Sequence, residues 1–311
     1  MSEPGKNLAA SIHQRLLHVA RTTGQDFQQL LTRFAIERLL VRLVESTHAD
    51  EFILKGAMLF VIWVDEPHRA TIDLDLLGRG TIDEERLHRV FTSLAEADRD
   101  DDALDFDASS IALRRIREGE RYEGIQVRMT ATLGKARIHV KVDVGFGDAV
   151  TPGPRAVSFP TLLDISPLTV RAYPRETVVA EKLHAVVTLG IANSRLKDFY
   201  DLWFLARRFD FDGATLLEAV SATFERRQTA PVTELPIALT EAFANDAAKT
   251  SQWTAFLRKL RPRMEPPTLA DVISELRAFA TPLLYAMVTG EDKPTTWPAG
   301  GPWSGGSRGQ T

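Results

Sequence analysis

The sequence predicts an α+β protein: N-terminal helices, then a core built on a mixed or antiparallel sheet, then a helical C-terminal portion. Three observations carry this. Aliphatic residues alternate with polar ones in Ile72–Leu76 and again in Ile138–Val144, as in strands with one buried face. Leucine, isoleucine and phenylalanine recur at helical spacing over Asn7–Ala20 and Phe27–Val44. Beyond the Pro-rich stretch TPGPRAVSFP, apolar residues keep a helical period as far as Val288.

The totals exclude several classes. A chain of 311 residues with 44% hydrophobic content holds one large or two modest domains with a sizeable core. There are no cysteines, so disulfides and thiolate metal sites are excluded, and seven scattered histidines give no zinc motif. A metal, if used, is a hard cation on oxygen ligands. The N-terminal MSEPGKNLAASIHQ lacks a basic region followed by an apolar one, and no apolar run reaches membrane-spanning length. The expectation is a cytoplasmic protein with no membrane partner. The formal net charge of −4 gives no blanket attraction to nucleic acid. Local patches decide instead: acidic EADRDDDALDFD is followed by Arg114, Arg115, Arg117, Arg121 and Arg128, and RKLRPR stands at 258–263.

In chain order, residues 1–50 are expected to be helices packed on the core, with RTTGQD supplying the caps between them. Residues 51–160 form the sheet core. A short strand over Glu51–Leu54 leads into Lys55 and a turn at Gly56, and AMLFVIW after it fits either helix or strand. The Asp73 strand follows, then a helix over about Asp83–Ala97, an acidic loop, and strands near 108–117, 125–133 and 136–145. TPGPRAVSFP reads as a surface linker. Residues 161–290 read as helices near 175–189, 197–208, 213–226, 232–247, 251–260 and 269–288. The tail over 291–311, rich in Gly and Pro, is expected to be disordered.

The chemistry concentrates around RATIDLDLL. On a strand, Asp73 and Asp75 share one face about 7 Å apart, where each disfavours ionisation of the other unless a cation lies between them. The bland alternative is a solvated acidic face. Arg69 and Thr71 continue the register with a phosphate-capable cation and a hydroxyl. In RIHVKVDVGFGD, Asp143 shares the open face with His139 and Lys141, so a third carboxylate comes from the same sheet. Such a set can cage Mg²⁺ beside nucleotide phosphates, the requirement of nucleotidyl transfer. Lys55 and Gly56 sit where backbone N–H groups and an ammonium can meet a phosphate. In the helical half, Lys182 fits either a snorkelling lysine or a phosphate contact. Asp198 and Asp201 fit either a cap with a local salt bridge or groups that orient Lys182.

KGAMLF, RATIDLDL, VKVDVGFGD, VVAEKLHAVV and RLKDFYDLW, in this order over about Phe52–Arg208, resemble the motifs of the AbiEii/AbiGii family of nucleotidyltransferase-like toxins, which includes the MenT toxins. The resemblance implies a DNA polymerase β-like nucleotidyltransferase core, a helical C-terminal portion and a cognate antitoxin encoded nearby. It implies that Asp73 and Asp75 bind metal and that Lys182 and Asp198 are essential. Ala57 stands where the family often has a second glycine, whereas Thr71 fits the pattern. Some members add nucleotides to the tRNA 3′ end and block aminoacylation.

The expected activity is therefore Mg²⁺-dependent transfer of a nucleoside monophosphate from a triphosphate (NTP) to RNA, with the tRNA 3′ end in first place. Asp73 and Asp75 hold metal, Asp143 assists, Lys55, Gly56, Arg69, Thr71 and Lys182 serve the phosphates, and Asp198 positions Lys182. The rivals are transfer to a protein or small-molecule hydroxyl, and a non-catalytic nucleotide-binding regulator.

Overall fold

The structure, a computed structural model, describes residues 4–64, 72–118, 122–260 and 267–304. It divides into two compact units, residues 1–148 with 155–173, and residues 149–154 with 174–311.

The first unit begins with α1 (Pro4–Thr23) and α2 (Phe27–Glu45), the latter capped by the Asp26 carboxylate accepting from the Gln29 N–H. α2 is buried on nearly every side, which explains an apolar pattern with little polar face. β1 (Phe52–Lys55) ends in a 3-10 turn over Gly56–Met58 and the short α3 (Leu59–Trp63), which settles AMLFVIW as helix. β2 (Leu74–Gly78) follows, then the amphipathic α4 (Glu84–Ala95), whose Leu87, Val90, Phe91 and Leu94 face the core. Next come the long β3 (Leu104–Glu118), β4 (Tyr122–Leu133) and β5 (Ala136–Phe146), and finally β6 (Arg155–Phe159) and β7 (Leu168–Ala172).

These seven strands form one mixed sheet in the order β3-β4-β5-β2-β1-β7-β6. The β2/β5 and β1/β7 pairs are parallel and the others antiparallel. α2 packs on β5 and β7, and α4 on β3. They cover the face carrying Ile138, Val140, Val142 and Val144, all buried. Burial of that aliphatic layer leaves the opposite face of β3, β4 and β5 polar.

Two expectations fail here. The stretch read as a linker contains β6, an edge strand just beyond the prolines of TPGP, with few buried side chains to announce it. The acidic run is a loop only as far as Ala103. Asp101 and Asp102 lie inside a charge cluster with Arg38 and Arg42 of α2, and Asp102 is fully buried. Two guanidiniums on one carboxylate compensate its desolvation.

In the second unit, α5 (Arg175–Leu189) packs on α6 (Leu196–Arg208) and on α7 (Gly213–Arg226), which follows the two-residue β8 (Phe211–Asp212). The helix expected over 232–247 is replaced by a 3-10 turn at Ile237–Leu239 and the single-turn α8 (Glu241–Ala244), because Pro236 blocks a longer one. α9 (Ala247–Leu260) and α10 (Leu269–Thr289) complete the helices, α10 opening with a Thr268/Asp271 capping box. Residues 291–304 of the tail pack on the helices, contrary to the expectation of disorder. β9 (Thr296–Trp297) pairs with β8, the Trp297 indole N–H donates to the Ala206 carbonyl at 2.6 Å, and Trp303 stacks on Phe279 at 5.7 Å. Indole burial replaces the aliphatic content the tail lacks.

Candidate active site

The chemistry-bearing side chains form two clusters, one in each unit.

In the first, the strand pairing sets the geometry. Parallel pairing places Asp75 opposite Asp143, and antiparallel pairing places Lys55 opposite Asp75. Leu74 and Leu76 point into the core, so Asp75 faces the open side. Asp73 precedes the strand rather than lying within it, yet its carboxylate reaches the same region. The Lys141 ammonium sits 2.9 Å from Asp73 and 3.2 Å from Asp143. Partial burial works against the Lys141 charge. The hydrogen bond and attraction from Asp73, with Asp143 behind them, outweigh it and raise the ammonium pKa. Asp143 also accepts from the Gln126 amide at 2.9 Å, and Gln126 accepts from Arg128 at 2.7 Å. The third carboxylate is therefore held from two sides.

Gly56 explains why the turn needs glycine. Its φ is +73°, and a Cβ there would fall 2.0 Å from an Asp75 carboxylate oxygen. The β1 turn and the Asp75 side chain are thus built to touch. Lys55 pairs with the buried Asp148 at 2.6 Å, and its ammonium lies 5.4 Å from the Tyr173 ring centre.

A divalent metal can be tested against this donor set. Among the described residues no group of three carboxylates or imidazoles is already gathered around one point. An ammonium bridging Asp73 and Asp143 nevertheless marks a cation position between carboxylates of adjoining chain segments, with Asp75 in register beside Asp143. All three are hard oxygen donors, and Asp73 and Asp143 are only partly buried, so the set fits Mg²⁺ once Lys141 gives way. Arg69 and Thr71, as well as His68, lie outside the described residues.

In the second unit, Lys182 of α5 is held at 2.8 Å by both Asp198 and Asp201 of α6. Arg195 adds a contact to Asp198 at 2.7 Å. Both carboxylates are fully buried. Burial opposes the Asp198 charge, but the neighbouring Lys182 and Arg195 charges hold its pKa below the usual carboxylate value. The spacing of Asp198 and Asp201 is thus used to grip a lysine, and neither caps the helix. The turn before α6 is fixed from behind. Asn193, fully buried, accepts the Arg195 N–H at 2.8 Å, and the buried Lys249 of α9 donates to the Asn193 carbonyl at 2.9 Å. Tyr200 lies among Trp203, Trp253 and Phe256, a packing role.

Sequence reasoning missed Asp148, Gln126 and Lys249. Asp148 stands just beyond a strand end, where alternation carries no information. Lys141 was visible on the open face, but its bridging position was not.

No match was found among curated proteins. Two solved structures from Helicobacter pylori align with the chain at 15% identity. JHP933 covers 85% of this chain and 94% of its own, with a TM-score of 0.48. A candidate nucleotidyltransferase covers 86% and 99%, with a TM-score of 0.49. Residues 38–275 match the family described as nucleotidyl transferase AbiEii toxin of a type IV toxin–antitoxin system, a span holding both side-chain clusters. The chain belongs to the AbiEii nucleotidyltransferase toxin family.

Proposed function

We propose that this nucleotidyltransferase moves a nucleoside monophosphate from an NTP to the 3′-hydroxyl of an RNA, a tRNA in first place, and so inhibits translation until a cognate antitoxin opposes it. The observation that carries the reading is the Asp73–Lys141–Asp143 bridge beside Asp75, a cation position on the open face of the sheet. Asp73, Asp75 and Asp143 would hold Mg²⁺, which when bound supplies charge neutralisation for the phosphates and acidifies the attacking hydroxyl. Gly56 lets the turn after β1 approach Asp75, leaving backbone N–H groups to serve a phosphate. Lys55 adds a positive charge at the end of the same strand. Asp143, steadied by Gln126, takes the hydroxyl proton. The 3′ oxygen then bonds to the α-phosphorus, and its bond to the leaving pyrophosphate breaks. By their place in the family motifs alone, Lys182, Arg69 and Thr71 are assigned as further phosphate contacts, and Asp198 and Asp201 hold Lys182 in position. Catalysis in this scheme is chiefly positioning and charge stabilisation.

The test is incubation of the purified protein with each labelled NTP, Mg²⁺ and total tRNA. The expected result is label on RNA that ribonuclease releases. Absence of transfer from all four nucleotides by folded protein overturns the reading, and label that survives ribonuclease moves the acceptor to a protein or small molecule.

A further inference from the structure

The carboxylates of β2 and β5 stand in the middle of the sheet, and the two sides of that position differ. Toward β1 lie Lys55 and the Gly56 turn, which suit a triphosphate. Toward β4 and β3 the open face carries a groove of about 440 Å³ lined by Ser110, Arg128, Thr130, His139 and Lys141, in the size range of small-ligand sites. Lys141 belongs to both features, since it lines the groove and bridges Asp73 and Asp143, so the groove opens onto the carboxylates. Arg114 of β3 is in register with Gln126 of β4, which in turn faces Asp143, so a second guanidinium stands on the next strand just outside the groove lining. Arg114, Arg128 and His139 are exposed. Apart from Asp73 and Asp143, which Lys141 bridges, β3 also carries acidic residues along this strip. Asp107, opposite Thr130, turns its carboxylate onto the Ser109 N–H and hydroxyl, and Asp105 lies one further step along. The positive strip is therefore short and ends where the acidic residues begin.

We propose that this groove seats the unpaired 3′-terminal nucleotides of the acceptor RNA, with backbone phosphates against Arg114 and Arg128, which delivers the terminal hydroxyl to Asp143. The occupant follows from the chemistry. A guanidinium, an ammonium, an imidazole and hydroxyls line it and match a sugar-phosphate chain, and among the described residues His139 is the ring in the groove lining that can stack on a base. Contacts of this kind read backbone rather than base edges, so the groove accepts a single-stranded end with little regard to sequence. The inference rests on RNA being the acceptor.

The experiment compares wild-type protein with the double variant Arg114→Glu/His139→Glu, in steady-state labelling with RNA and NTP varied in turn. Both positions are exposed, and a melting temperature within a few degrees of wild type verifies the fold. The expected result is a KM for RNA raised at least about tenfold, a KM for NTP within about twofold, and a salt dependence of the RNA KM shallower by about one in log–log slope. Arg114→Lys restores most of the RNA affinity. An unchanged KM for RNA, or a rise in KM confined to NTP, overturns the groove. Failure of the wild-type protein to label RNA at all overturns the RNA reading first and the groove with it, and is seen before any variant is made.

Discussion

The two charge clusters use the same residue types to opposite ends. Around Lys141 an ammonium lies between carboxylates that keep 40% and 22% of their side-chain surface in contact with solvent. Around Lys182 the partner carboxylates keep none. An ion pair open to water gains little net energy and exchanges partners readily, whereas a closed one cannot lose a member without leaving a charge stranded. The first arrangement suits a site that must admit a metal and a nucleotide. The second suits a fixed lysine whose position does not change between turnovers.

The sharpest break in that comparison is Asp198→Ala. Removing the fully buried carboxylate that holds both Lys182 and Arg195 should cost about 3–5 kcal/mol of stability, because the largely covered Lys182 loses a close partner. The change is read from the urea midpoint, and activity falls with it. Wild-type stability in this variant would mean that the pair is not buried in solution.

Asp75→Asn probes the open cluster and should behave in the reverse way. Loss of one oxygen charge at the proposed metal position should lower kcat about 10²–10³-fold, equivalent to about 3–4 kcal/mol of transition-state stabilisation, with the melting temperature nearly unchanged. A variant that keeps wild-type turnover removes Asp75 from the metal set.

How much of this contrast was legible beforehand depends on what fixed each residue. Asp75 and Asp143 were readable because IDLDL and VKVDV alternate, and alternation on a sheet with one covered face dictates which side a carboxylate takes. That they stand opposite one another in a parallel pair was not readable, since register between strands nearly seventy residues apart is a property of the whole sheet. The grip of Asp198 and Asp201 on Lys182 was visible as one of two options and needed the packing of α5 on α6 to choose it. β6 was missed because a short edge strand after prolines buries too little to leave a pattern, and the ordered tail because indoles, not aliphatic residues, carry its packing. Lys249 was beyond reach, for nothing in AAKTSQW shows that its ammonium turns inward onto the Asn193 carbonyl.

Glu37, another buried acid, provides a pH test of the same distinction. Burial pushes the Glu37 carboxyl up to about 7, against the opposing pull of Arg33 and the Leu162 N–H. Its folded pKa lies above the unfolded one, so the folded state binds the extra proton. The stabilisation from this group is complete below about pH 4.5 and is lost as pH rises through about 7, a change of about 3 kcal/mol. Asp198 has the opposite sign, since its lowered pKa contributes stability that disappears only in acid. Glu37→Gln should remove the neutral-range slope from stability measured by urea denaturation between pH 4.5 and pH 8. An unaltered slope would place its origin elsewhere.

The smallest effect is expected where the comparison is most informative. Lys141→Met keeps the length of the side chain and deletes the charge between Asp73 and Asp143. Because that pair is open to water, the cost in stability without metal should be no more than about 1 kcal/mol, against several for the corresponding loss at Lys182. With that charge gone the carboxylates should repel one another more strongly, and Mg²⁺ should recover the lost stability by binding the folded state alone. A thermal melt of the variant with and without Mg²⁺ decides the matter, with Lys182→Met as the control that the metal does not rescue. If Mg²⁺ leaves the Lys141→Met melt unmoved, the bridge is only a surface salt link, and the metal position must be sought at Asp75 without it.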